Sequence, residues 1–159
     1  NAYARWGAGE KRDKALVVFS TMWGSTDAIA RSVAEGIGAT GVEVEVYDLA
    51  LSPLAHITAE LLEAKALVLG SPTLHHGMLY RVAGYLQYLS GLKPTDRIAA
   101  TFGSYGWSKG ADKEMRARLE EIGFELPFED FLVKFRPSAE DLTAAEAWGR
   151  EIGEAVKAR

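Results

Sequence analysis

Residues 15–19, Ala-Leu-Val-Val-Phe, are apolar without interruption, and the run stops at Ser20-Thr21-Met22-Trp23-Gly24-Ser25-Thr26. A short continuous apolar run that ends in small polar residues predicts a strand buried on both faces and emptying into a loop. Beyond that loop Ile29, Ala30, Val33, Ala34 and Ile37 recur at helical spacing as far as Gly38 and Gly41. Ser25 or Thr26 is the expected N-cap, with Asp27 at the positive end of the helix dipole. Val42, Val44 and Val46 then alternate with Glu43, Glu45 and Tyr47. That is the pattern of a strand with one wet face, and so of an edge strand.

The same unit recurs downstream. A short helix over 58–64 leads to Ala66-Leu67-Val68-Leu69, which breaks at Gly70-Ser71-Pro72-Thr73-Leu74-His75-His76-Gly77. Val82, Ala83, Leu86 and Leu89 predict a helix up to Gly91, and Ile98-Ala99-Ala100-Thr101-Phe102 a strand ending in Gly103-Ser104-Tyr105-Gly106-Trp107-Ser108. Ala111, Met115, Leu119 and Ile122 mark a fourth helix, residues 131–135 a fifth strand, and Ser138 caps a last helix with Ala145, Trp148, Gly149, Ile152 and Val156 inward. Five strands alternating with five helices predict an α/β fold, an open parallel sheet covered on both faces with right-handed crossovers. With strand two at an edge, the order is 2-1-3-4-5, and ligands bind at the carboxyl ends of strands one and three, where the winding reverses.

Composition narrows the chemistry. The 159 residues, 48% hydrophobic, suit one domain. The 18 Lys and Arg against 22 Asp and Glu leave a formal charge of −4, which disfavours nucleic acid or an anionic membrane as partner. There is no Cys, and the only histidines are His56, His75 and His76, without metal-ligand spacing. No apolar stretch is long enough for a membrane span and residues 1–13 lack a signal-peptide core, so the chain reads as soluble, with the cytoplasm as its expected compartment. Chemistry is expected from a bound organic cofactor rather than from a metal or a catalytic side chain.

The three unusual loops describe such a cofactor. Ser20, Thr21, Ser25 and Thr26, with Gly24 where backbone comes close and a helix N-terminus behind them, suit a phosphate, although the same hydroxyls also serve as plain helix caps. The loop has no Lys and no G-x-G-x-x-G, which points to a terminal monophosphate rather than a nucleoside triphosphate or dinucleotide. Trp23, Tyr105 and Trp107 each read singly as packing, yet together at a ligand edge they suit a flat heteroaromatic ring. A monophosphate at one end and a flat ring at the other describe FMN.

Thr21-Met22-Trp23-Gly24-Ser25-Thr26 resembles the flavodoxin phosphate loop, and Gly70-Ser71-Pro72-Thr73-Leu74 with Phe102-Gly103-Ser104-Tyr105-Gly106-Trp107 resembles the flavodoxin-like domain of flavodiiron proteins. The likeness runs from about Ala15 to the C-terminus, giving a domain over 15–159. Residues 1–14, with Tyr3-Ala4-Arg5-Trp6, resemble the connector that joins a metallo-β-lactamase-like di-iron domain to it. The resemblance implies a flavodoxin-like fold and an FMN domain that takes electrons from a rubredoxin-like or flavin-reductase donor. It passes them to a di-iron site on another domain, which reduces oxygen or nitric oxide, in head-to-tail homodimers. The chain by itself is expected to carry electrons and not to reduce either gas. Because it opens on Asn1 rather than Met, a part of a longer polypeptide is the expected origin.

The expected roles follow the loops. Thr21, Trp23, Gly24, Ser25 and Thr26 take the phosphate; Pro72, Thr73, Leu74 and His75 one side of the ring; and Ser104, Tyr105, Gly106 and Trp107 the other, with Met22 and Gly77 completing the set. His75 and His76 stand where the family often has amides. They read either as exposed loop residues or as groups that hydrogen-bond the ring and, when protonated, raise its potential. Leu74 replaces a frequent stacking aromatic. Lys109 reads as a solvated helix start, and Lys113, Glu114, Arg116, Arg118, Glu120 and Glu121 as the wet side of helix four. Rival readings are a stand-alone FMN-dependent NAD(P)H:quinone reductase, a free flavodoxin, a phospho-accepting receiver domain and a cofactor-free interaction domain. Ser20-Thr21 and Ser71-Pro72 stand where the receiver needs acidic residues.

Overall fold

The structure, a computed structural model, describes residues 11–159. Its elements alternate: β1 (Arg12–Phe19), α1 (Ser25–Ala39), β2 (Glu43–Asp48), α2 (Leu54–Glu63), β3 (Ala64–Gly70), α3 (Tyr80–Leu92), β4 (Ile98–Tyr105), α4 (Ala111–Ile122), β5 (Phe131–Lys134) and α5 (Ala139–Ala158). The strands form one parallel sheet in the order β2-β1-β3-β4-β5. The expected order is therefore observed.

The uninterrupted apolar runs follow from helices on both faces. Along β1, Ala15, Val17 and Phe19 enter the core formed with α1 and α5, while Leu16 and Val18 enter the core formed with α2, α3 and α4. Residues of β3 divide the same way, Ala66 and Val68 against Leu67 and Leu69. α1 and α5 lie so close that a Cβ on Gly149 would overlap the Val33 carbonyl, and one on Gly36 the Glu146 carbonyl. Gly149 is thus required by helix contact, not by a turn. α5 begins with the expected Ser138 cap as a full capping box: Asp141 N–H donates to Ser138 Oγ at 3.1 Å and Ser138 N–H to Asp141 Oδ2 at 2.8 Å.

Four local expectations change. β1 starts at Arg12 rather than Ala15, because Lys14 is only 1% exposed and its ammonium is held by Glu60, by Glu45 at 3.3 Å and by Glu43 at 4.0 Å. On the Glu face of β2, Glu45 is accordingly half-buried against Lys14, whereas Glu43 stays exposed. α2 starts at Leu54, after Pro53, four residues before the expected Thr58, whose hydroxyl instead donates back to the Leu54 carbonyl at 2.8 Å. At α1 neither Ser25 nor Thr26 is the cap: the N-cap is Gly24, with no side-chain cap bond. Of the connector expected over 1–14, the part up to residue 10, including Tyr3 to Trp6, lies outside the described residues. No helix among the described residues is long and apolar enough to cross a membrane, and no group of three or more metal-ligating His, Cys, Asp or Glu is present among them.

Candidate functional site

The loops after β1, β3 and β4 meet at the carboxyl edge of the sheet, tied by hydrogen bonds that continue the strand ladder. Ser71 N–H donates to the Phe102 carbonyl at 3.2 Å, Thr73 N–H to Ser104 at 2.9 Å, and Phe135 N–H to Tyr105 at 2.7 Å. Between the loops opens a cavity of about 560 Å³, within the usual range for small-molecule sites. Met22, Trp23 and Ser25 line it from the first loop, Pro72, Thr73, Leu74 and His75 from the second, and Ser104, Tyr105, Gly106 and Trp107 from the third.

Four of the expected residues do not line it: Thr21, Gly24, Thr26 and Gly77. Thr21 is half-buried, its hydroxyl turned to the Met22 carbonyl at a long 3.4 Å. Gly24 is needed for its left-handed φ of 83°, not for space, since a Cβ there would meet nothing within 4 Å. Gly77 makes room for Glu114 instead, whose carboxylate accepts from the Met78 N–H at 3.1 Å. Glu114 therefore latches the second loop rather than merely facing water.

Thr26 is the informative exception. It is fully buried in the first turn of α1, and its hydroxyl has no hydrogen-bond partner. A buried orphan hydroxyl is costly unless a ligand meets it. The same helix end has no side-chain cap, so the N–H groups of its first turn are without side-chain partners as well. Asp27, the one acid in that turn, is paired with Arg31, whose Nε donates at 3.2 Å. Of the five helices only α5 has a side-chain cap, so it is the orphan Thr26 hydroxyl rather than the missing cap that sets the start of α1 apart.

The walls of the cavity are otherwise aromatic and bare. Trp23 is 88% and Trp107 100% exposed, and Tyr105 is covered on one side by the Lys109 ammonium, 4.8 Å from the ring centroid. Lys109, expected to be merely solvated, thus supports a wall. The second loop folds as a tight hairpin: Leu74 and Gly77 exchange hydrogen bonds of 2.7 and 2.9 Å across His75 and His76, whose φ values are 49° and 66°. Two successive positive φ values are those of a type I′ turn, a setting that favours Asn and Gly. This gives a backbone reason for an Asn or Gly at either position.

Comparison with known proteins decides the family. The flavodoxin family model matches residues 17–149. The chain belongs to the flavodoxin family. It is 38% identical over 95% of its length to the nitric oxide reductase of Moorella thermoacetica, of which it covers 38%. The solved rubredoxin oxygen:oxidoreductase of Desulfovibrio gigas superposes with a TM-score of 0.93 at 33% identity, over 98% of this chain and 39% of that one. A flavodoxin from the domain Archaea superposes with a TM-score of 0.83 at 32% identity, over 91% of this chain and 99% of its own. The chain spans about two fifths of the length of the curated relatives it matches.

The cofactor is FMN. The residues present fit it: the orphan Thr26 hydroxyl and the uncapped start of α1 suit the phosphate, and the exposed indoles and Tyr105 suit the ring. Expectation from sequence missed three lining residues, Ser108, Phe135 and Arg136. The signal for the last two was positional. They follow β5, and the residues after every strand of such a sheet reach the ligand edge.

Proposed function

We propose that this chain is the FMN-carrying electron-transfer domain of a flavodiiron-type oxygen or nitric oxide reductase, working in the cytoplasm. The observation that carries the proposal is a cavity with solvent-exposed aromatic walls that reaches the uncapped start of α1 at Ser25, next to the buried Thr26 whose hydroxyl has no partner. The likeness to the Moorella and Desulfovibrio proteins, over nearly all of this chain, favours the flavodiiron setting.

FMN, when bound, supplies one- and two-electron redox chemistry. The chain's residues bind and orient it. Ser25 and Thr26 hydroxyls and the α1 N–H groups hold the phosphate without a Lys or Arg; Thr21 and Gly24 shape the loop. Pro72, Thr73, Leu74 and His75 form one side of the ring site, and Ser104, Tyr105, Gly106 and Trp107 the other. Met22 closes the phosphate end, and Gly77 holds the second loop's hairpin. No acid–base residue is assigned, because electron transfer requires only binding, orientation and tuning of the cofactor. The donor is a rubredoxin-like protein or a flavin reductase. The acceptor is a di-iron domain of metallo-β-lactamase type, set against the flavin in a head-to-tail homodimer of the parent protein.

The test is reconstitution. The purified chain is expected to bind one FMN, turn yellow and bleach with dithionite; a folded chain that ignores FMN overturns the reading. The span of this chain over 99% of the archaeal flavodoxin favours a second reading, a free flavodoxin-like carrier. Electron delivery from the loaded chain to a separately supplied di-iron domain distinguishes the two. NADPH oxidation with a quinone acceptor would instead favour a quinone reductase.

A further inference from the structure

β5 ends at Lys134 and the chain turns at once. Phe135 takes a φ of 60°, a left-handed conformation that is unfavourable for a bulky side chain, and stays more than half exposed with its ring beside Gly106. The turn brings the next residue, Arg136, onto the cavity wall. Among the lining residues Arg136 is the one permanently charged side chain, and no carboxylate lies among them. Among the described residues it is also the only arginine with no hydrogen bond, ion pair or ring contact. The lysines nearby are engaged, Lys109 over Tyr105 and Lys134 over Phe135 at 4.8 and 5.5 Å.

Its place in the sheet separates it from the phosphate end. β5 lies three strands from β1 in the sheet order, which at ~4.8 Å per strand is about 14 Å. Arg136 therefore enters the site from the side of the Ser104–Trp107 loop, away from α1. When oxidised FMN takes two electrons from a donor and one proton from solvent, the flavin gains one negative charge. A nearby cation favours that reduced anion over the oxidised ring.

We propose that Arg136 is the positioning charge of the flavin site, binding reduced FMN more tightly than oxidised FMN and so raising its potential. This rests on the FMN reading above. It also explains why a chain of net charge −4 keeps an unpaired arginine on the wall of this cavity.

The experiment compares the wild-type chain with Arg136→Gln and Arg136→Lys, measuring dissociation constants for FMN and riboflavin and the two-electron midpoint potential with dithionite as reductant. Arg136→Gln is expected to lose about tenfold in affinity for the reduced relative to the oxidised flavin, equivalent to about 30 mV lower potential. Arg136→Lys keeps the wild-type value, and the ratio of FMN to riboflavin affinity is unchanged in both. A wild-type potential in Arg136→Gln that still binds FMN overturns the assignment. Weakened FMN binding with riboflavin unaffected overturns it too, by making Arg136 a phosphate ligand. Failure of the wild-type chain to bind FMN overturns the flavin reading itself, a result separate from either.

Discussion

Arg97, just before β4, and Arg136, just after β5, stand at opposite ends of one sheet. Arg97 is 6% exposed and donates to four carbonyls: Leu61 at 3.0 Å, Ala64 at 3.1 Å, Leu62 at 2.9 Å and Thr95 at 2.6 Å. Two of these belong to the last turn of α2, so the side chain adds donors at a helix end where the Ala64 N–H already meets the Leu61 carbonyl. Lys14 at the same end is held by Glu60, Glu45 and Glu43. At the carboxyl end Arg136 is bare, Thr26 is buried without a partner, α1 is uncapped, and the indoles of Trp23 and Trp107 face water. One sequence thus satisfies buried polar groups internally at one edge and leaves them for a ligand at the other. The predictions below test that division.

The largest effect is expected at the amino end. Arg97→Ala removes a donor from four carbonyls, of which Leu61 keeps the Ala64 N–H, and should cost about 3 kcal/mol. For a chain of this size that is a fall in Tm of about 6–12 °C. Urea or thermal unfolding of the flavin-free chain checks it. FMN affinity of the folded variant should stay at the wild-type value; a parallel loss of affinity would mean that the two edges are not separable.

At the carboxyl edge the sign reverses. Thr26→Val removes the orphan hydroxyl with little change of shape, so the flavin-free chain should be as stable as wild type or slightly more stable. FMN binding should weaken about tenfold, the size of one hydrogen bond to a charged group, with riboflavin binding unchanged. Calorimetric titration with both flavins reads this directly. Equal weakening for riboflavin would remove Thr26 from the phosphate site.

Two carboxyl clusters sharpen the comparison through pH. Burial pushes the Glu45 carboxyl up, but the Tyr47 hydroxyl and the Lys14 ammonium outweigh it and hold the carboxyl below its ordinary value of 4.5. A depressed pKa contributes stability that is complete above the ordinary value and is lost as pH falls through the lower, folded one. Lys14→Met should therefore flatten the acid limb of stability below about pH 4.5. Asp112 behaves oppositely: burial and the neighbouring Asp130 raise its carboxyl, and one of its oxygens has no partner. A raised carboxyl opposes folding once ionised, so Asp112→Asn should raise the unfolding midpoint at pH 7 and have least effect in acid. Urea midpoints from pH 3 to 8 test both.

How much of this was legible follows from what burial does to a sequence. Both-face burial makes the centres of β1 and β3 uninterrupted apolar runs and leaves β4 broken only by Thr101, and the polar loops that end them carry Met22, Trp23, Ser25 and the Pro72–His75 and Ser104–Trp107 segments to the cavity. The start of β1 was hidden because Lys14 is buried by partners distant in sequence, Glu45 and Glu60. The uncapped start of α1 was hidden for a related reason. Ser25 and Thr26 have cap chemistry, and only the backbone shows that Gly24 takes that place and leaves the Thr26 hydroxyl free. Phe135 and Arg136 carry no motif, and what marks them is a turn after β5.

The smallest effect is expected in the hairpin of the second loop, where the two edges' logic meets in two residues. His75 and His76 hold φ values of 49° and 66°, which Asn and Gly adopt at lower cost. The double variant His75→Asn, His76→Gly should therefore gain about 1 kcal/mol in the flavin-free chain, seen as a Tm higher by about 2–4 °C. If the imidazoles are only turn residues, the FMN potential stays where it was. If they hydrogen-bond or charge the ring edge, the potential falls as stability rises. A variant that gains no stability would show that the hairpin's positive φ values are not strained by histidine, and would remove the backbone reason for an Asn or Gly at either position.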